Sequence, residues 1–196
     1  MITRLDQLDL SKQYSYADYL KWRFEERVEL IRGYIHKMSP APARRHQGLS
    51  IALINQMYPH FKNHQCRMYH APFDVRLTRK SKNKSKEVTT VVQPDLCVIC
   101  DESKLDKRGC VGAPDLIVEI LSPGNSKKEM KDKFEVYEEA GVREYWIVQP
   151  TDKNVLVYTL NDEGKYIGHR PFVEDEIMHS FVFPDLKVNL LEVFKD

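Results

Sequence analysis

The stretch that decides the fold is Leu116-Ile117-Val118-Glu119-Ile120-Leu121, an almost continuous apolar run with one carboxylate in it. Such a run predicts a strand that is covered on both faces, as in a parallel sheet. Residues 127–140 then fit a helix, Gly141 its C-cap, and residues 144–148 a second strand. Strand, helix and strand within about 35 residues predict a right-handed parallel crossover.

Two helices and several short strands are predicted around this crossover. Ser15 suits the N-cap of a helix from residue 16 to about residue 26, and apolar residues at every fourth position from Leu49 predict a helix over residues 44–63. Arg32-Gly33 is the turn signal of a hairpin. Strands are also predicted at residues 67–69, 73–78, 91–100, 155–158 and 181–183. This order predicts an α/β or α+β fold, with helices flanking a mixed central β-sheet.

Length and composition limit the class of protein. The chain has 196 residues, with 30 Lys and Arg against 29 Asp and Glu. We expect a single domain over residues 1–196, with residues 152–196 as its β-rich C-terminal segment. No apolar run reaches the about 18 residues of a membrane span, and residues 1–7 lack the apolar part of a secretion signal. We therefore expect a cytoplasmic protein with no membrane segment.

The charge is unevenly distributed along the chain. A net charge of +1 argues against a protein that coats nucleic acid by bulk electrostatics. However, residues 152–196 carry 5 basic and 9 acidic side chains, which leaves 25 basic and 20 acidic ones in residues 1–151. Between the strands predicted at 73–78 and 91–100 lies a basic segment, a hairpin tip that could hold DNA phosphates. Its candidate DNA-binding residues are Arg79, Lys80, Lys82, Lys84 and Lys86.

Four cysteines raise the question of a metal or redox site. Cys97 and Cys100 form a C-x-x-C pair, but they lie in a predicted strand, where residues three apart point to opposite faces. The pair therefore cannot share a metal ion. We predict that Cys66, Cys97, Cys100 and Cys110 are buried apolar thiols in a reducing compartment.

Two acids interrupt predicted apolar strands. Asp95 lies in the strand at residues 91–100 and Glu119 in the strand at residues 116–121. A lone buried carboxylate is costly unless it is paired, hydrogen-bonded or bound to a metal. If the strands are neighbours, the two acids can converge on a hard cation such as Mg²⁺. Alternatively, each acid stands at a strand end, held by a lysine, an arginine or a backbone amide, which is the commoner arrangement for a single acid.

Two further residues could join such a site. Asp115 lies four residues before Glu119, on the same strand face, and is either a third ligand or, as we favour, a strand-entry residue after Pro114. Lys133 lies at the edge of the apolar stripe of the 127–140 helix and can reach back toward Glu119. Its ammonium would offset charge in a phosphoryl-transfer transition state. The other lysines of this helix fit a solvated face: Lys127, Lys128 and Lys131.

The sequence resembles a known family at several motifs. They are Pro94-Asp95, residues 112–123, Asp132-Lys133 with Tyr137, and residues 141–146. Together they are similar to the Uma-two-type restriction endonuclease family, which belongs to the PD-(D/E)xK nuclease superfamily. The similarity extends to residues 29–35 and 38–40 and to His46, and covers residues 15 to 190.

This resemblance implies a metal-dependent phosphodiesterase core in which Asp95 and Glu119 bind Mg²⁺ or Mn²⁺. The superfamily places its lysine two residues after the glutamate, where this chain has Leu121. Either the site is inactive, or the lysine has moved to the following helix as Lys133. We favour the second interpretation because the helix pattern indicates Lys133 independently. Glu29 matches an additional acid that the superfamily often places beside the site, although Glu29 could equally pair with a nearby arginine, Arg27 or Arg32.

The function that follows from the resemblance is metal-assisted cleavage of DNA by an endonuclease. His46 could contact phosphate or transfer a proton, or could simply cap or pack the helix that it opens; Tyr137, one turn after Lys133, could orient the lysine. The resemblance also suggests a homodimer. The alternative function is an inactive nuclease-fold module that binds DNA or a protein partner. The apolar Leu121 at the superfamily's lysine position is the feature that would indicate such an inactive site.

Overall fold

The computed structural model describes residues 2–38, 43–78, 88–122 and 127–195. The candidate DNA-binding residues Arg79, Lys80, Lys82, Lys84 and Lys86 lie outside these ranges. The α-helices are α1 (Tyr16–Tyr19), α2 (Arg44–Phe61), α3 (Lys127–Ala140) and α4 (Leu190–Phe194). The strands are β1 (Val28–Ile31), β2 (Tyr34–Lys37), β3 (Arg67–His70), β4 (Val75–Leu77), β5 (Thr90–Val92), β6 (Leu96–Ile99), β7 (Leu105–Asp106), β8 (Gly109–Val111), β9 (Leu116–Ile120), β10 (Glu144–Gln149), β11 (Asn154–Leu160), β12 (Tyr166–Gly168), β13 (Phe172–Val173), β14 (Ile177–His179) and β15 (Lys187–Asn189).

The strands form two large mixed sheets. One has the order β2-β1-β5-β4-β8-β7, and the other has the order β12-β11-β10-β9-β6-β3, with β13 also paired to β11. Strands β14 and β15 form a separate pair. β9 and β10 are parallel and α3 lies between them in the chain, which confirms the predicted parallel strand–helix–strand unit. Mixed sheets with flanking helices confirm the predicted α+β class.

The central strand β9 is covered on both faces, as its apolar sequence predicts. Leu116 and Val118 belong to an apolar cluster that includes the buried stripe of α2, which runs from Leu49 to Phe61. Ile117, on the opposite face, belongs to a second cluster that includes Tyr137 of α3. All five residues of β9 are buried. The packing of β9 between α2 and α3 therefore fixes the positions of the side chains at the carboxyl end of the strand.

The segment predicted as one strand over residues 91–100 is in fact two strands in different sheets. β5 pairs with β1 and β4, whereas β6 pairs with β3 and β9. The break falls at Gln93-Pro94-Asp95. Proline has no N–H to donate to a ladder, so it is excluded from the interior of a central strand. The break leaves Asp95 directly before β6, at the point where the chain passes from one sheet to the other.

Two other predictions need correction, and one helix was missed. Helix α1 ends at Tyr19 rather than near residue 26, because the chain turns to bury Trp22, which bridges to Ile2. Residues 181–183 are not a strand but connect β14 to β15. Helix α4 was not predicted. The Arg32-Gly33 hairpin is confirmed, with φ of 53° and 88° at its two turn residues.

The cysteines divide into two groups. Cys97 and Cys110 are free and buried, as predicted. Cys66, directly before β3, and Cys100, directly after β6, instead form a disulfide, so the prediction of four free thiols is wrong for this pair. The opposite orientation of Cys97 and Cys100 is confirmed, because Cys97 packs in the cluster with α3 and Cys100 against the cluster with α2.

Glu144, at the start of β10, is a fully buried acid with a structural role. Its carboxylate accepts hydrogen bonds from Trp146 Nε1 at 2.7 Å and Ser180 Oγ at 2.6 Å. It also accepts the backbone N–H groups of Phe181 and Val182 at 3.2 and 2.8 Å. This single side chain therefore anchors the connection between β14 and β15 to the central sheet.

We expect Glu144→Gln to lower the free energy of unfolding by about 2 kcal/mol, because an amide nitrogen replaces one acceptor and faces buried donors. Urea denaturation measures this change. Glu192→Gln is the matched control, because the Glu192 side chain is 55% exposed and should leave the midpoint unchanged. A Glu144→Gln midpoint equal to that of the wild type would contradict the anchoring role.

No helix in the described ranges is long and apolar enough to cross a membrane.

Candidate active site

The antiparallel register of β6 and β9 brings two predicted site residues together. Leu96 pairs with Val118, so the preceding residue, Asp95, comes opposite Glu119. Oδ2 of Asp95 also accepts the backbone N–H of Ile120 at 2.7 Å. Residues opposite each other in an antiparallel pair have Cβ atoms about 5 Å apart. Asp95 and Glu119 are therefore neighbours at the carboxyl end of β9.

Two buried side chains contact Glu119, and a third, Glu29, contacts the lysine of this pair; sequence analysis indicates all three. Lys133 Nζ lies 3.0 Å from Oε1 of Glu119 and 3.2 Å from Oε2 of Glu29. The hydroxyl of Tyr137 donates to the same Oε1 of Glu119 at 2.6 Å. The lysine from α3 thus lies between a carboxylate of the hairpin β1–β2 and one of the central strand. Tyr137 contacts the glutamate itself, rather than the lysine that it was predicted to orient.

Burial governs the protonation of this cluster. Glu119 is only 8% exposed and Lys133 only 7%. Burial raises the pKa of Glu119, and the nearby carboxylates add to this rise while Lys133 opposes it. Burial also disfavours the Lys133 ammonium, but the charges of Glu119 and Glu29 outweigh it and raise the pKa of Lys133 well above its usual value. The two carboxylates therefore favour the protonated form of Lys133 beside Glu119.

His46 comes from the first turn of α2 and contacts the other acid. Its Nε2 lies 3.3 Å from Oδ2 of Asp95. The interaction with Asp95 raises the pKa of His46, although burial acts in the opposite direction. Its Nδ1 is buried without a hydrogen-bond partner among the described residues. A capping role is not what the structure shows, because the N-cap residue of α2 is Ala43.

Glu29 is held by a residue that sequence analysis missed. Its Oε1 accepts the backbone N–H of Gln93 at 2.8 Å, and the Gln93 side chain is in turn fixed by Arg27 and Asp74. Arg32 contacts Glu135 and Glu139 of α3 instead of Glu29. The sequence signal that could have indicated Gln93 is its position two residues before Asp95, at the break between β5 and β6.

The structure places Asp115 away from this cluster. Its carboxylate accepts the backbone N–H of Cys100 at 2.8 Å and contacts Arg143 at 3.2 Å. It stands before the first residue of β9, about 13 Å along the strand from Glu119 at the rise of a β-strand. The favoured interpretation of a strand-entry residue agrees with these contacts, and Asp115 does not join Asp95 and Glu119.

The chemistry of the donor set fits a divalent cation with hard ligands. Asp95 and Glu119 are adjacent carboxylates, and a cavity of about 20 Å³ lined by Glu119, Lys133 and Tyr145 lies beside Glu119, large enough for one water molecule. The described residues include no cluster of three or more His, Cys, Asp or Glu side chains arranged for a metal. Two carboxylates completed by water and substrate phosphate are the usual protein environment of Mg²⁺, and the oxygen donors suit Mn²⁺ equally.

Comparison with known proteins identifies the family. The family model Uma2, described as "Putative restriction endonuclease", matches residues 16–191. The chain belongs to this family. An uncharacterized protein from Synechocystis sp. is 24% identical over 153 residues, which cover 76% of each chain. The Uma2 assignment confirms the family resemblance and supports a nuclease-like protein.

A solved structure shows the same fold as this Uma2 protein. It is the crystal structure of a "putative nuclease belonging to DUF820" from Anabaena variabilis, with a TM-score of 0.71 and 18% sequence identity. The match covers 92% of this chain and 97% of that chain. It confirms the restriction-endonuclease-like fold predicted from the sequence.

Proposed function

We propose that this Uma2 protein is a metal-dependent endonuclease that hydrolyses phosphodiester bonds of DNA. The observation that carries the proposal is the position of Lys133, with its Nζ 3.0 Å from the Glu119 carboxylate. Helix α3 supplies the ammonium group that β9 lacks because it is followed by Leu121. This ammonium lies beside Glu119, one of the two carboxylates that suit Mg²⁺ or Mn²⁺.

Asp95 and Glu119 would hold the metal ion, which supplies a polarised phosphate and a water of lowered pKa. Lys133 keeps its proton and orients the attacking water or balances charge on the phosphate oxygens in the transition state. Glu29 and Tyr137 are positioning residues: Glu29 also contacts the Lys133 ammonium, and Tyr137 fixes the Glu119 carboxylate. His46, in contact with Asp95, is suited to bind a phosphate oxygen.

The wild-type protein is expected to nick supercoiled plasmid DNA in Mg²⁺ or Mn²⁺. EDTA should stop the reaction, and a return of either metal in excess should restore it. Gel electrophoresis of the plasmid measures the nicking. The enzyme proposal fails if no DNA or RNA is cut in either metal and calorimetry detects no metal binding.

A second candidate function is favoured by one observation, the apolar Leu121 at the superfamily's lysine position. It is a nuclease-fold module that binds DNA or a protein partner without cutting. In that case DNA would bind with equal affinity in EDTA and in Mg²⁺, and no nicked product would form. A homodimer, which cutting of both strands would favour, is also part of our proposal and is tested by sedimentation equilibrium.

A further inference from the structure

A second cavity lies beside the candidate active site, at the carboxyl ends of the parallel strands β9 and β10. Its volume is about 270 Å³. Half-buried residues form its inner wall: His46, Leu121, Gln149 and Pro150. The crevice outside the carboxyl ends of parallel strands is where α/β sheets characteristically bind ligands.

Two side chains connect this cavity to the candidate active site. His46 lines the cavity while its Nε2 lies 3.3 Å from Asp95. Leu121 lines it as well, and also lines the small cavity beside Glu119 and Lys133. A DNA strand with a phosphate at Asp95 and Glu119 would therefore bring its neighbouring nucleoside to this cavity.

The lining selects the chemistry of the ligand. Leu121 and Pro150 offer apolar surface, whereas the Gln149 amide offers both a donor and an acceptor. At the exposed rim, Arg45 and Asp152 carry opposite charges. A small anion alone would leave the apolar surface of Leu121 and Pro150 without a partner, and a purely apolar ligand would leave the Gln149 amide unpaired. The volume lies below the range typical of sites for drug-sized ligands, so it suits a single flat heterocycle with a polar edge.

We infer that this cavity binds one unstacked nucleobase of the DNA strand, next to the phosphate that is hydrolysed. The inference rests on the proposed function and adds a subsite to it. Gln149 hydrogen-bonds the edge of the base, as amide side chains do in base recognition, while Leu121 and Pro150 contact its faces. Arg45 at the rim contacts the phosphate of the same nucleotide. Extrusion of a base into a pocket beside the reacting centre is a known mode of nucleic-acid enzymes.

The test uses a short DNA duplex in which 2-aminopurine replaces every adenine of one strand. Binding is followed by anisotropy in Ca²⁺, so that the result does not depend on cleavage. We expect the wild-type protein to raise 2-aminopurine emission as a base unstacks. Gln149→Leu should abolish this rise and weaken DNA binding about tenfold. Gln47→Leu, on an exposed part of α2, is the matched control and should behave as the wild type.

Ala43→Phe provides a second variant, because Ala43 is exposed at the cavity rim and its replacement fills the opening without altering the core. It should also abolish the emission rise. Bound DNA with unchanged emission, or an emission rise that survives both Gln149→Leu and Ala43→Phe, overturns the inference. Plasmid nicking is assayed separately: nicking by the wild type with no emission change overturns the base site alone, whereas an emission rise without nicking overturns the endonuclease alone.

Discussion

Glu119→Gln is expected to abolish metal-dependent DNA cleavage and to leave the protein folded. The amide has the shape of the carboxylate and can still accept the Tyr137 hydroxyl at the position of Oε1. It lacks the negative charge that a divalent cation requires. Because the cation in our proposal would supply both the polarised phosphate and the water nucleophile, we expect the rate to fall at least about a thousandfold. Plasmid nicking measures the rate, and calorimetry with Mn²⁺ measures the loss of metal affinity.

The control for Glu119→Gln is Glu102→Gln, which makes the same chemical change at a side chain that is 69% exposed. Glu102→Gln should cut DNA at the wild-type rate. Asp95→Asn should match Glu119→Gln, because both carboxylates hold the same ion in our proposal. If Glu119→Gln cuts normally while it is correctly folded, the metal site must lie elsewhere.

Lys133→Met is expected to lose both stability and activity. Removal of the ammonium leaves the buried carboxylates of Glu119 and Glu29 without their shared cation, and breaking a buried ion pair from one side costs about 3–5 kcal/mol. Burial raises the pKa of Glu119, so this group takes up a proton more readily in the folded protein than in the unfolded chain. The destabilisation should therefore shrink as the pH falls and grow as the pH rises through the raised pKa. Urea denaturation at several pH values measures it.

A double variant separates the two effects of Lys133. Glu29→Gln together with Lys133→Met removes one of the two facing carboxylates, so part of the lost stability should return while cleavage stays absent. Lys131→Met is the control on the same helix, since its side chain is 75% exposed. Normal cleavage by the double variant would remove Lys133 from the mechanism and leave it a purely structural residue.

The acids of the site and Lys133 could be predicted from sequence, but the contacts that Tyr137, Gln93 and His46 make with these acids could not. A carboxylate in an apolar strand indicates Asp95 and Glu119 because burial demands compensation. The same demand applies to Glu144, which is met by Trp146, Ser180 and two backbone N–H groups and has no connection with the site. Sequence alone shows that compensation is needed, whereas the tertiary contacts determine whether a metal, a lysine or a hydroxyl provides it.

The errors in the predicted fold have the same origin. Helix α3 was predicted at its observed bounds because its apolar period and its Gly141 cap are local signals. The 91–100 segment was misassigned because apolar content outweighed the signal of Pro94. The link between Cys66 and Cys100 depends on the pairing of β3 with β6, a long-range contact that residue spacing does not reveal.

Leu121 has a consequence beyond the absence of a strand lysine. Because α3 supplies the charge, the strand is free to end in an apolar side chain, and this side chain lines both the water-sized cavity at Glu119 and the larger cavity at Gln149. In our proposal, Leu121 therefore stands between the attacking water and the bound base. The size of the side chain at position 121 would then set how closely the attacking water and the bound base approach each other. The substrate range of this protein could therefore evolve by substitution of Leu121 while Asp95 and Glu119 stay unchanged.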